Sequence, residues 1–175
     1  MKDISQLPFQ IDNQYYNSLD IEAFSQMMKN PSYCYKFYWL EAIVRLISEN
    51  VTETTFDEII DEMIANAWYS VREFHVHLSG LKSDGSVGDG LERAILLLSE
   101  LSDLPANASR VEIKNEIVTY NQELKRYKEQ LTNMVPYRAL AGFFLKTGEK
   151  TDWDSIVRLT AYIRKINEQI MPLPY

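Results

Sequence analysis

Apolar positions along this chain recur at helical spacing and almost never alternate, so the pattern predicts helices throughout. The stretch "NSLDIEAFSQMMKNP" offers Ser18 or Asp20 as an N-cap and apolar residues at Ile21, Phe24, Met27 and Met28, and Pro31 stops it. Residues 33–47, "YCYKFYWLEAIVRLI", follow at once. Wound at 3.6 residues per turn, they set Tyr35, Tyr38, Trp39, Ala42 and Leu46 on one side and Phe37, Leu40, Val44 and Ile47 on the neighbouring one, leaving Glu41, Arg45 and Ser48 as a polar stripe. A helix so apolar around its circumference is expected at the centre of a bundle, with its clustered rings packed between neighbouring helices.

Thr55 and Glu58 match a capping box, and Phe56, Ile59, Ile60, Met63, Ile64, Ala67 and Trp68 repeat at helical spacing behind it. The pattern then weakens into "REFHVHL". As a short strand this would set Glu73, His75 and His77 on one face, at a spacing open to a metal; as a continued helix or turn it holds two ordinary histidines. Residues 80–90, "GLKSDGSVGDG", carry four glycines without the Gly-Lys-Ser/Thr ending of a phosphate-binding loop, and read as a surface loop. "LERAILLLSELSDLP" is a short apolar helix ended near Pro105.

The most regular stretch starts at a second capping box, Ser109 with Glu112. Ile113, Ile117, Tyr120, Leu124, Tyr127, Leu131 and Met134 then recur at intervals of 4, 3, 4, 3, 4 and 3. That predicts one helix with a heptad seam of about 30 Å. Pro136 interrupts it, and "YRALAGFFL" forms a compact apolar segment beyond. A later helix, entered at Thr151 or Asp152, carries a similar seam at Ile156, Leu159, Ile163, Ile166, Ile170 and Leu173. Two such seams are expected to pack against each other as antiparallel neighbours; self-association through one of them is the alternative. The fold class expected is all-α: a single compact bundle of six to seven helices over residues 1–175, two of them long and heptad-patterned.

Composition narrows the partners. The 175 residues carry a net charge of −7, unevenly spread. Residues 53–103 hold three basic and eleven acidic groups, whereas 104–146 hold seven and four. A polyanion is repelled by the former and only modestly attracted by the latter, where Lys125, Arg126 and Lys128 flank Tyr127 and form the candidate nucleic-acid contact. Cys34 is the sole cysteine, so no disulfide within the chain is possible and a reducing compartment is expected. No apolar run reaches the length of a membrane span, and the N-terminus lacks the pattern of a signal peptide, so the expectation is a soluble, cytoplasmic protein without a membrane partner. No nucleophile elbow, zinc-ligand cluster or carboxylate pair of telling spacing is present, so no catalytic residue, cofactor or metal ligand is assigned. The abundant acids read as solvating helix faces.

Two segments carry a resemblance. In "SYCYKFYWLEAIVRLI" the positions are Tyr35, Lys36, Phe37, Tyr38 and Trp39, and in "FDEIIDEMIANAWYSVREFHVHLSG" they are Met63, Ile64, Ala65, Ala67, Trp68, Tyr69 and Val71. Together they resemble the N-terminal helical region of bacterial HNH-endonuclease-domain proteins. The segment "VPYRALAGFF", residues 135–144, is similar to a later element of that family. The resemblance implies that the nuclease motif, with its divalent metal, lies beyond this chain, which would then be the non-catalytic N-terminal part of a longer nuclease-like protein. Such a part would help substrate orientation, assembly or regulation of nucleic-acid cleavage, with its own C-terminal domain as partner. The alternative is a stand-alone helical interaction module that homodimerises through a heptad seam.

Overall fold

A computed structural model describes residues 34–79 and 83–144, with backbone only for 140–144. The expected helices at 18–30 and 152–173 lie outside the described residues. The described ones are helical: α1 (Tyr35–Ser48), α2 (Phe56–Arg72), α3 (Gly90–Leu101), α4 (Arg110–Thr119), α5 (Asn121–Thr132) and α6 (Val135–Phe144).

Local chemistry starts α2 and α4 at the two capping boxes read from the sequence. At the head of α2, the Thr55 hydroxyl accepts from the Glu58 N–H at 3.2 Å while Glu58 Oε2 accepts from the Thr55 N–H at 2.7 Å. Ser109 and Glu112 repeat the exchange at the head of α4. Asp89 caps α3 by accepting from the N–H groups of Leu91 and Glu92 at 2.8 and 3.0 Å. These side chains satisfy backbone donors that a helix start leaves without partners. The tail of α1 closes differently: Asn50 takes φ 60°, and the N–H groups of Asn50 and Val51 donate back to Ile47 O and Leu46 O, both at 3.0 Å. That is a Schellman turn with asparagine in the left-handed position usually held by glycine.

The centre of the bundle is α2. It packs against α1, α3, α4 and α5, and it buries Ile59, Ile60, Met63, Ile64, Ala65, Ala67, Trp68 and Val71. The sequence expectation had given this place to α1. Instead α1 buries one side, Tyr35, Trp39, Ala42 and Leu46, against the core, and leaves Phe37, Val44 and Ile47 exposed on the other. The reason lies in side-chain size and shape. α2 brings alanines and compact aliphatic groups to several faces, letting four helices approach, whereas α1 sends the bulky rings of Tyr35 and Trp39 into the core from one side only.

The long heptad helix expected over 110–134 is divided. Tyr120 leaves helical geometry, at φ −102° and ψ 27°, between α4 and α5. The Thr119 hydroxyl donates to the Asn115 carbonyl at 2.9 Å, a back-bond that bends helices, and Asn121 follows at once with low helix propensity. Ile113, Ile117, Leu124 and Leu131 are nevertheless fully buried, and Tyr120, Tyr127 and Met134 pack against the same core. Their neighbours are α2 and α3, since α4 packs on α2 and α5 on both. α6 returns to α1, where an Arg138 N–H faces the Tyr35 hydroxyl at 3.5 Å.

Trp68, with no exposed surface, donates from Nε1 to Pro105 O at 3.1 Å and so ties the α3–α4 connection to the C-terminal part of α2. Replacing it tests that tie. Trp68→Phe, which removes the donor and part of the ring, is expected to lower unfolding free energy by about 2 kcal/mol, and Trp68→Ala by about 3–5 kcal/mol. Urea unfolding followed by far-UV circular dichroism measures both.

Candidate functional site

Three constellations were built up from the side chains: an ionic ladder along α2, a histidine–carboxylate pair beside α3, and the open face of α1.

The ladder is set by helical spacing. Asp57 and Asp61 stand four residues apart on α2, as do Glu62 and Asn66, so the two pairs form adjoining rows. Lys128 of α5, 3% exposed, meets the first row: its Nζ lies 2.9 Å from Asp57 Oδ2, 2.7 Å from Asp61 Oδ1 and 2.8 Å from Asn121 Oδ1. An ammonium has three N–H donors, and here three oxygens surround it. Glu62, 1% exposed, meets Arg110 and Lys114 of α4, and Arg110 Nη1 also donates to Asn66 Oδ1 at 2.6 Å. Burial raises the Asp61 carboxyl above the ordinary aspartate range, against the opposing pull of Lys128. The acids read from sequence as solvating faces are therefore, at these positions, the partners of cations from two other helices. Only the tertiary pairing identifies them, since an acid every third or fourth residue is also how a water-facing stripe looks.

This arrangement dismantles the cationic cluster of 125–128. Lys125 and Arg126 stay at the surface, Lys125 Nζ 3.9 Å from Glu129 Oε1. Lys128 points inward, because it stands four residues after Leu124 and three before Leu131, on the buried side of α5.

The histidines separate as well. α2 ends at Arg72, and His75 sits exposed at φ 52°, which breaks any strand alternation that would align Glu73, His75 and His77. His77 instead approaches α3: its Nδ1 is 2.7 Å from Glu92 Oε1, while Glu92 Oε2 accepts from the Leu78 N–H at 2.9 Å. Glu92 is 2% exposed. It was not singled out in the sequence, where it reads as a first-turn acid of α3. Here the carboxylate clips the α2–α3 connection onto α3. A carboxylate on Nδ1 orients an imidazole with Nε2 directed away, the arrangement of a metal-binding or proton-transferring histidine. Yet among the described residues no group of three His, Cys, Asp or Glu side chains could hold a metal ion.

The third feature is the α1 face itself. Phe37, Val44 and Ile47 are 45%, 57% and 65% exposed, with Leu40 half-buried between them. Their spacing of 3, 4 and 3 makes one stripe, about 15 Å long at the helical rise. Opposite it, Tyr35 and Trp39 are buried. The rings of residues 35–39 are thus divided between core and surface, and Phe37 begins an apolar row with Leu40, Val44 and Ile47, suited to receiving another polypeptide face.

Two tests follow from the charges. Lys128→Met would leave Asp61 half-buried without its cation, and is expected to cost about 3 kcal/mol in urea unfolding at pH 7. The pH response has a sign. Hydrogen bonds from Thr55 and Thr54 hold Glu58 below the ordinary glutamate range, and those from Ser109 do the same for Glu112. A carboxyl depressed in the folded state contributes stability above its unfolded pKa and loses it as pH falls through the folded value. Asp61 and Asp89, both raised by burial, contribute in the opposite sense. Stability lost between pH 5 and pH 3 should therefore be smaller in the Glu58→Gln/Glu112→Gln variant than in the wild type, as denaturant midpoints at the two pH values will show. Compared with known proteins, the chain matches no family model, no curated protein and no solved structure.

Proposed function

We propose that this chain is a helical docking domain that holds a further polypeptide segment on α1, serving as the N-terminal, assembly-forming part of an HNH-nuclease-like protein. The observation that carries the docking role is the stripe of Phe37, Val44 and Ile47, three large apolar side chains in line on a helix whose other side is anchored in the core. The nuclease context rests on the resemblance of residues 33–47 and 56–80. Cleavage, and the divalent metal it uses, belongs in this reading to a part outside these residues, which the docking domain would position. The chain's role is orientation and assembly.

Homodimerisation through the seam at 113–134 is disfavoured, because Ile113, Ile117, Leu124 and Leu131 are already covered by helices of the same chain. A second copy would have to use another face.

The test compares a covered stripe with a bare one. Lysine has better helix propensity than valine or isoleucine, so on a water-facing stripe Val44→Lys/Ile47→Lys should leave stability unchanged or slightly raised. On a stripe that receives a polypeptide, the double variant is expected to lose about 2–4 kcal/mol in urea unfolding. No loss, measured in the protein with any natural continuation of the chain present, would remove the docking reading.

A further inference from the structure

We infer that the occupant of the α1 stripe is the apolar seam of residues 152–173 of the same chain; the inference rests on the docking reading and names its partner. Three observations converge. First, α6 brings the chain next to α1, on the Tyr35 side: α6 packs on that helix, Arg138 faces the Tyr35 hydroxyl, and α6 ends at Phe144, six residues or about 9 Å further along, so the connector must pass round α1 to reach the stripe. Second, the connector is long enough and polar. Residues 145–151, "LKTGEKT", can span about 23 Å when extended, more than the length of the stripe. Third, the patterns match. The stripe repeats at 3, 4 and 3, and Ile156, Leu159, Ile163, Ile166, Ile170 and Leu173 repeat at 3, 4, 3, 4 and 3, the spacing with which two helix faces interlock.

Other occupants fit less well. The apolar residues Ile21, Phe24, Met27 and Met28 span eight residues, about 10 Å of helix, which is shorter than the stripe. A second copy would have to leave the seam of 152–173 without a partner, or supply it across the dimer. Within one chain the same contact forms at the high effective concentration of a short linker.

Maleimide labelling decides the question. In a Cys34→Ser background, the full chain carries one new thiol, either Val44→Cys on the stripe or Glu41→Cys on the exposed polar side as reference. Ala94→Cys, fully buried in α3, reports that the core is intact. Val44→Cys is expected to react at least tenfold more slowly than Glu41→Cys, at a rate independent of protein concentration. Adding Ile163→Asp/Ile166→Asp should bring it up to the reference rate while Ala94→Cys stays unreactive. Protection that grows with protein concentration would assign the stripe to a second copy. Concentration-independent protection that survives the two aspartates would assign it to a different segment. Either result overturns this inference and leaves the docking reading standing. Reaction at the reference rate in the full chain overturns the inference; combined with unchanged stability of Val44→Lys/Ile47→Lys, it overturns the docking reading too.

Discussion

The fold depends on one constraint: α2 must be buried on most of its circumference while carrying acids in every turn of its first half. Its apolar residues meet four other helices, yet Asp61 and Glu62 lie among those contacts, with Asp57 at their exposed edge. A carboxylate taken from water without a partner is strongly unfavourable, so Asp61 and Glu62 must each meet a cation that their neighbours supply. Lys128, Arg110 and Lys114 do so. This fixes more than energy. The aliphatic contacts of α2 would tolerate some sliding or rotation of α4 and α5, but an ammonium seated among Asp57, Asp61 and Asn121 would not.

The bundle is closed around that helix by polar clips at its connections. Trp68 holds the α3–α4 loop through Pro105, Glu92 holds the α2–α3 segment through His77 and Leu78, and Asp89 fixes the start of α3. Each binds irregular backbone, whose donors and acceptors a helix cannot satisfy, to a regular element. That use explains why titratable groups are numerous near the core while no metal-holding triad forms among the described residues. The same acids and cations hold helices in register, and among the described residues α1 carries a row of exposed apolar side chains.

That surface gives the proposed docking role its physical logic. α1 is rigid because Tyr35, Trp39, Ala42 and Leu46 are anchored, its tail is locked by the Asn50 turn, and α6 braces it. A row of apolar groups on a fixed helix orders little on binding, so contact there is not offset by a large entropic cost.

Sequence alone determined the helical class and the starts of α2 and α4. Thr55 with Glu58, and Ser109 with Glu112, are local devices complete within four residues, so their pattern is their structure. The inward faces at 113–134 were legible for the same reason, because helical periodicity survives the small break at Tyr120. The structure decided what periodicity cannot express, namely which apolar face meets which. Two apolar sides on α1 looked like a central helix, whereas Phe37, Val44 and Ile47 face outward because α2, with its alanines, admits more neighbours. Lys128 looked like one of three surface cations, and Glu62 and Glu92 like ordinary solvated acids. Their burial depends on partners 52 and 71 residues away in one case or the other, and 15 residues away in the last. A charge has no period that marks it as paired, so only the packed helices reveal which charges turn inward.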